Sequence, residues 1–258
     1  MLLCPVRNCR LPLVRAERQL ICPRNHLFDV ARSGYINLLQ PQERHSKQPG
    51  DTTAAVAARR RLHDRGVTRP LLDGIAQILR PSPASIVLDA GCGDGFYLGA
   101  LARQIGFAAH GIDISIPAVD AAARRYPQCA WIVANADRFI PYASGSFSIV
   151  LSITARMNAS EFRRVLQDAD SARLLVAIPA PDDLAELRGG GRDRVTRTVE
   201  TFARDFTLIE RGRVTTTVDL DASAVQDVLF SIYRPMQSRP AAAMRVTFSL
   251  DLLLFRPA

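Results

Sequence analysis

The chain has 258 residues and a formal net charge of +8 at pH 7. This length is enough for one full α/β domain and a small additional module. No apolar run approaches the roughly 18 residues of a membrane-spanning helix, and the apolar N-terminus is too short for a signal peptide. The sequence therefore predicts a cytoplasmic protein without a membrane partner.

The excess positive charge lies in the N-terminal third of the chain. Residues 1–80 hold 14 basic and 6 acidic side chains, whereas residues 81–258 hold 19 of each. A basic region confined to one part of a protein is typical of a surface that binds a polyanion. We therefore expect a nucleic-acid partner. The alternative is that genome composition alone makes the chain rich in arginine, since Lys47 is its one lysine.

Three cysteines and a histidine near the N-terminus predict a metal site. Cys4, Cys9, Cys22 and His26 have the spacing C-x4-C-x12-C-x3-H. Three thiolates and one imidazole are typical of tetrahedral structural zinc, and a cytosolic setting argues against disulfides. We expect a small zinc-binding β module over residues 1–36. The alternative is a short β-ribbon in which the cysteines are buried apolar residues.

A basic linker that contacts the substrate is expected over residues 37–69. Residues 27–50 are polar and loop-like, and a helix is predicted over residues 54–65. That helix contains three consecutive arginines suited to phosphate contacts, Arg59, Arg60 and Arg61. His63 stands alone in the sequence and is expected to take no part in the chemistry.

Residues 70–258 predict an α/β domain with a doubly wound parallel sheet, because short apolar strands alternate with helical patterns. The predicted strands are residues 85–89, 109–113, 130–134, 147–152 and 173–178. The predicted helices are residues 70–80, 95–104, 116–125, 159–168 and 182–188. Two long strands follow, at 206–219 and 245–255 around a helix at 222–231, and are expected to close the sheet as an antiparallel hairpin.

An acidic, glycine-rich turn follows the first strand of this domain. Its candidate ligand-binding residues are Asp89, Gly91, Gly93, Asp94 and Gly95. Alternating glycines let the backbone come close to a ligand, and the spacing differs from the dinucleotide fingerprint. Carboxylates repel a pyrophosphate but suit a ligand with a cationic amino-acid end. The turn resembles motif I of the class I S-adenosylmethionine (SAM) methyltransferases.

A second acidic position supports an adenosine-containing ligand. Asp113 ends the next strand, about 20 residues after the glycines, where a carboxylate typically accepts ribose hydroxyls. Asn135 and Asp137 follow the third strand and suit adenine recognition, with Asp137 accepting from the exocyclic amine. The alternatives are that the glycines only connect a strand to a helix, with Asp113 as a cap, and that residues 135–137 form a capped turn.

Several motifs together resemble one family, the 23S ribosomal RNA guanine-N1 methyltransferases. These motifs are the Cys/His set, Gly-Tyr-Ile-Asn-Leu-Leu at 34–39, Pro-Gly-Asp at 49–51, the glycine turn, Leu-Ala-Glu-Leu at 184–187 and the block at 228–240. The resemblance implies a SAM-dependent enzyme with structural zinc that methylates guanine N1 in a hairpin of 23S rRNA. It also implies an RNA-contacting zinc module and a possible homodimer. One branch of the family confers resistance to tylosin-like macrolides.

The resemblance also implies cofactor contacts at positions where this chain differs from the family. Thr68 replaces a tyrosine that contacts SAM, and Asp183 replaces a histidine with the same role. After the fourth strand, Arg156 lies in a segment in which the family usually carries a proline beside the target base. Guanine N1 must lose its proton during methyl transfer, and a cation such as Arg156 can stabilise the enolate-like O6. The general base is not assigned.

Two other functions remain open at this point. The altered segment after the fourth strand favours a small-molecule methyltransferase, as in antibiotic biosynthesis, whereas the basic N-terminal third opposes it. A non-catalytic RNA-binding protein with a residual SAM fold is opposed by the complete glycine turn and Asp113.

Overall fold

A computed structural model of the protein describes residues 1–43, 49–232 and 240–258. Parts of the predicted linker and of the block at 228–240 lie outside the described residues. The described strands form two sheets, one of three strands and one of eight. No described helix is long and apolar enough to cross a membrane.

The small sheet belongs to the N-terminal module. Its strands are β1 (Val14–Ala16), β2 (Gln19–Ile21) and β3 (Leu27–Asp29). The order is β1-β2-β3, and both pairs are antiparallel. Strands of three residues bury too little apolar surface to be stable alone, so this sheet depends on other interactions within the module. The predicted β module is confirmed.

The large sheet has the order β10-β11-β9-β8-β5-β6-β7-β4. Its strands are β4 (Ile36–Asn37), β5 (Ile86–Ala90), β6 (Ala108–Asp113), β7 (Ala130–Val133), β8 (Ile149–Ile153), β9 (Arg173–Pro179), β10 (Phe206–Leu220) and β11 (Met244–Pro257). Strand β11 runs antiparallel to both β9 and β10, and the other pairs are parallel. The doubly wound sheet with an antiparallel closing pair is confirmed. The chain order reverses beside β5, where ligands bind in such sheets.

Eight α-helices are described around the sheets. They are α1 (Thr53–Asp64), α2 (Arg69–Leu79), α3 (Phe96–Ile105), α4 (Ile116–Arg125), α5 (Ala159–Val165), α6 (Ala185–Arg188), α7 (Val195–Phe202) and α8 (Ala222–Ser231). The helices at 54–65, 70–80, 95–104, 116–125 and 222–231 form as predicted, within one or two residues at each end.

Two helix predictions were wrong, and one helix was missed. The helix predicted at 159–168 ends at Val165, because Leu166 turns to an extended conformation and Gln167 donates to the Phe147 carbonyl. The helix predicted at 182–188 is reduced to Ala185–Arg188, since Leu184 has a left-handed φ of 53°. Helix α7 was not predicted.

The polar stretch at 27–50, predicted as loop, contains β3, β4 and a 3-10 turn at Pro41–Glu43. Strand β4 has only two residues and pairs with β7 in the large sheet. Such a short strand leaves no periodic pattern in the sequence, because its stability comes from the neighbouring strand.

The N-terminal module and the large sheet share one hydrophobic core. Cys4, Phe28 and Leu38 belong to the same buried cluster as Ile132 and Tyr142. Backbone hydrogen bonds from Leu3 to Pro141 and from Ala143 to Met1 join the two parts. These parts of the chain pack together, so the division into three domains at residues 1–36, 37–69 and 70–258 stays a prediction from the sequence.

Candidate functional site

The four predicted zinc ligands converge in the N-terminal module. Their candidate ligand atoms lie within 4.8 Å of one another. His26 Nδ1 is 3.3 Å from the sulfurs of both Cys4 and Cys22, and the sulfurs of Cys9 and Cys22 are 3.7 Å apart. The edges of a tetrahedron around zinc measure about 3.5–3.8 Å for Zn–S bonds of ~2.3 Å and Zn–N bonds of ~2.0 Å. The donor set thus fits structural zinc, and His26 presents Nδ1.

Two tight turns bring these ligands together despite the long first spacing. The Cys9 N–H donates to the Val6 carbonyl, and the Asn25 N–H donates to the Cys22 carbonyl. Asn8 and Asn25 have φ values of 62° and 60°, a left-handed conformation that asparagine tolerates. The four-residue spacing between Cys4 and Cys9 is therefore accommodated by local backbone conformation.

At the carboxyl end of β5, Asp89 lies at the bottom of the candidate SAM site. Its side chain is buried, and Oδ1 has no hydrogen-bond partner among the described atoms. Burial, and secondarily the Asp113 charge, raises the pKa of Asp89 to about 8. A buried acceptor of this kind is stabilised by a cationic ligand, because the positive charge offsets the loss of solvation.

The three glycines of the turn have different neighbours. A Cβ on Gly91 would lie 2.4 Å from the Ala155 Cβ, and one on Gly95 would lie 2.3 Å from Trp131. These two glycines are therefore required by packing against the protein itself. A Cβ on Gly93 would meet only the Nη1 of Arg59, at 3.5 Å. Of the three, Gly93 leaves the backbone most accessible to a ligand.

Asp113 is held against the turn by backbone donors. Its Oδ2 accepts from the Gly93 N–H at 2.9 Å and its Oδ1 from the Ser115 N–H at 2.8 Å. Burial raises the pKa of Asp113 above its usual value, and these two hydrogen bonds partly oppose the shift. Each carboxylate oxygen has a further lone pair, so Asp113 can still accept ribose hydroxyls as the sequence predicts.

Helix α1 lies across this turn, which the sequence did not predict. Its residue His63 is buried, stacks on Phe96 with ring centroids 4.0 Å apart, and places Nε2 at 3.5 Å from Asp94. The other ring nitrogen lies 2.6 Å from the Thr68 hydroxyl. Burial raises the pKa of Asp94, but the hydrogen bond and charge of His63 lower it below its usual value. His63 is therefore not isolated in the structure, and its expected absence from the chemistry stays a prediction.

The arginines of α1 are mostly engaged within the protein. Arg59 pairs with Asp51 at 2.5 Å and donates to the Ser231 carbonyl at 2.7 Å. Arg61 binds both oxygens of the buried Asp227 on α8. Arg60 is exposed. Arg59 and Arg61 thus join α1 to the rest of the protein, and the expected phosphate contacts of the three arginines stay a prediction.

The segments after β7 and β8 lie together at the same edge of the sheet. Asp137 forms an ion pair of 3.4 Å with Arg156, whose side chain is 80% exposed. The side-chain Oδ1 of Asn135 accepts from the Asp137 N–H, so Asn135 shapes the turn. Burial raises the pKa of Asp137, and the Arg156 charge lowers it. Thr154 has a φ of 51°, a strained conformation for a β-branched residue, next to the contact between Ala155 and Gly91.

Asp183 reaches the site from the other side. Its Oδ1 accepts from the Ser249 N–H at 3.0 Å. Burial, followed by the Asp94 charge, raises the pKa of Tyr97, and the charge of Asp183 adds to the same shift. The contact of Asp183 with the cofactor stays a prediction.

An exposed basic loop beside Asp183 was missed by the charge analysis. Arg192 and Arg194 are exposed. Burial raises the pKa of Asp183 above its usual value, and the charges of Arg188 and Arg194 partly oppose this shift. The balanced charge of residues 81–258 concealed this loop, although the motif Arg-Gly-Gly-Gly-Arg-Asp-Arg at 188–194 was visible in the sequence.

The fold and site define a class I SAM-dependent methyltransferase. Residues 87–173 match the family model described as "Methyltransferase domain". The fold is shared with the structure named "Conversion of a Disulfide Bond into a Thioacetal Group during Echinomycin Biosynthesis" (TM-score 0.51, 16% identity, 73% of this chain and 82% of that one). It is also shared with the cyclase SpnF (TM-score 0.50, 16% identity, 72% and 80%).

The particular family follows from two further matches. Residues 2–47 match the family model described as "RlmA, N-terminal", a zinc ribbon. The 23S rRNA (guanine(748)-N(1))-methyltransferase of Streptomyces fradiae is 36% identical over 238 residues, covering 88% of this chain and 82% of the relative. The chain belongs to the 23S rRNA guanine-N1 methyltransferase family, and it is a SAM-dependent enzyme with a structural zinc ribbon.

Proposed function

We propose that the enzyme methylates N1 of one guanine in a hairpin loop of 23S rRNA. Two observations carry the proposal: the similarity to the Streptomyces fradiae enzyme over 88% of the chain, and the separate match of residues 2–47 to the zinc ribbon model. A ribosomal substrate supports a cytoplasmic location.

Exposed arginines in two regions of the described chain support an RNA substrate. The zinc module carries Arg7, Arg15, Arg18, Arg24 and Arg32 at its surface. The loop at 188–194 adds exposed arginines beside Asp183. Side chains of this kind bind phosphates and position a duplex or loop without reading its sequence.

Arg156 supports the chemistry of N1 methylation. SAM supplies the activated methyl group, so the protein mainly positions the base and stabilises charge. As guanine N1 loses its proton, negative charge develops on O6, and an exposed guanidinium near the cleft can stabilise it. In the described residues Arg156 is held by Asp137 alone, at 3.4 Å, so it is free to turn toward a substrate.

The product can be tested directly. Methylation at N1 blocks Watson–Crick pairing, so primer extension on treated 23S rRNA should stop at a single guanine in a loop. The stop should require both enzyme and SAM. Incorporation of labelled methyl groups into a metabolite extract, with none into ribosomes or free rRNA, would instead support a small-molecule methyltransferase, which the unusual Thr154 and Arg156 favour.

The role of Arg156 has a separate test. Arg156→Ala should lower the turnover number by roughly 10- to 100-fold with little change in RNA affinity, because the lost interaction forms in the transition state. Arg163→Ala is a matched control, since Arg163 of α5 pairs with the exposed Asp168. Equal turnover in the two variants would remove Arg156 from the mechanism.

A homodimer is part of the proposal. Strand β10 has 15 residues and ends the order of the described sheet, with β11 as its neighbour. A long edge strand offers unpaired backbone groups to a second chain. Sedimentation velocity at several protein concentrations should give a mass near twice 28.3 kDa, and a monomer at all concentrations would contradict this.

A further inference from the structure

Arg59 places a positive charge directly over the glycine turn. Its Nη1 lies 3.5 Å from the position that a Cβ on Gly93 would occupy. Burial lowers the pKa of Arg59, but the charge and hydrogen bond of Asp51, and then the charges of Asp94 and Asp113, raise it above its usual value. The guanidinium is therefore held charged among carboxylates at the point where the backbone is most accessible.

The ligand of this cleft has two opposite charges at its amino-acid end. SAM carries an ammonium group and a sulfonium that suit Asp89 and its neighbouring carboxylates. It also carries a carboxylate, which these aspartates would repel and which requires a cation. Arg125, another arginine close enough to affect Asp94, is directed to Asp64 at 2.7 Å. Arg59 is therefore the better placed partner for a ligand carboxylate.

The guanidinium of Arg59 is also held in a fixed position for such a contact. Its hydrogen bonds to Asp51 and to the Ser231 carbonyl use two of the five N–H donors of a guanidinium. Asp51 is itself fixed, because its backbone carbonyl accepts from the Ser115 hydroxyl at 2.7 Å. The remaining donors are held in place before a ligand arrives, which reduces the entropy lost on binding.

We propose that Arg59 binds the carboxylate of the methionine part of SAM, so that helix α1 completes the cofactor site. This inference depends on the assignment of the cleft to SAM. It gives the arginine-rich helix a binding role beyond contact with RNA.

Calorimetry with two ligands tests the proposal without measuring catalysis. The ligands are S-adenosylhomocysteine and its decarboxylated analogue, which keeps the ammonium group and lacks the carboxylate. The wild-type enzyme should bind the first roughly 10- to 100-fold more tightly, the range expected for a charge-assisted hydrogen bond. In Arg59→Gln this preference should fall to about 1, and in Arg59→Lys it should be intermediate.

Arg61→Gln is the matched control, because it breaks the other arginine tie between α1 and α8 without touching the turn. It should keep the wild-type preference even if its melting temperature falls. The proposal is overturned if the wild-type enzyme binds the two ligands equally well, a result that does not depend on any variant folding. It is also overturned if Arg59→Gln weakens the binding of both ligands equally. Failure of the wild type to bind either ligand would instead reject the SAM assignment itself.

Discussion

The zinc module and the SAM cleft are two sites built in different ways. The module takes all four ligands from residues 4–26 and presents them on short turns. The cleft collects side chains from α1, the glycine turn, the ends of β6, β7 and β8, and Asp183. Metal binding supplies the stability of the first site, whereas packing of distant segments forms the second.

The difference is visible in the glycines and cysteines. Cys4 and Cys22 are buried beside strands of three residues, so little apart from metal and the shared core holds them. Gly91 and Gly95 are fixed by contacts with Ala155 and Trp131. Loss of metal should therefore unfold the module, while changes in the cleft should act through packing or through ligand charge.

The largest effect is expected from removal of a zinc ligand. Cys22→Ser should lose the metal and the amide protection of residues 1–36, because structural zinc contributes about 10–16 kcal/mol of binding free energy in zinc-finger peptides. Metal analysis and hydrogen exchange would measure this. Cys129→Ser, which changes a buried cysteine outside the metal set, should keep both. Full zinc content in Cys22→Ser would contradict the ligand assignment.

The next effect concerns Asp89 and ligand charge. Asp89→Asn should weaken binding of S-adenosylhomocysteine by roughly 100-fold, as expected for a lost buried charge–charge contact. Because the pKa of Asp89 is about 8 without ligand, most of the wild-type carboxyl is protonated at pH 7. A cationic ligand favours the ionised form, so affinity should rise from pH 6 to 8.

Binding should also release protons near pH 7. Calorimetry in buffers of different ionisation enthalpy measures this release, which should disappear in Asp89→Asn. Proton uptake in the wild type, or an affinity that falls between pH 6 and 8, would show that Asp89 does not face a positive charge.

A smaller effect separates packing glycines from the ligand-facing one. Gly95→Ala should lower the free energy of unfolding by about 3 kcal/mol, since overpacking against Trp131 adds to the strain of a φ of 72°. The new Cβ of Gly93→Ala would make only an ordinary contact with Arg59. This variant should therefore lower the free energy of unfolding by only about 1 kcal/mol, because of its positive φ. Denaturant titrations compare the two, and equal losses would mean that packing does not distinguish these positions.

The smallest effect is expected for one exposed arginine. Arg60→Ala should reduce the slope of log K against log salt for RNA by about 0.7–0.9 while SAM binding is unchanged. Arg204→Ala, an exposed arginine outside the N-terminal third, is the control. An unchanged slope in Arg60→Ala would show that α1 contributes to the cleft and not to the RNA surface.

The sequence by itself determined the parts that depend on local spacing. The Cys/His set, the glycine turn and Asp113 were all found by pattern, because their residue types and separations are required by the ligand. The alternation of strands and helices followed from apolar periodicity, since long elements repeat the pattern several times.

Only the tertiary structure decided which distant residues complete the cleft. The sequence analysis interpreted Arg59 as a phosphate contact and His63 as an isolated histidine. Both lie over the glycine turn, although the turn follows them by more than 25 residues in the sequence. Strand β4 forms because β7 is beside it. Such contacts have no spacing rule, since they arise when separate segments pack and bury charge together, and a single sequence does not encode that proximity in any local pattern.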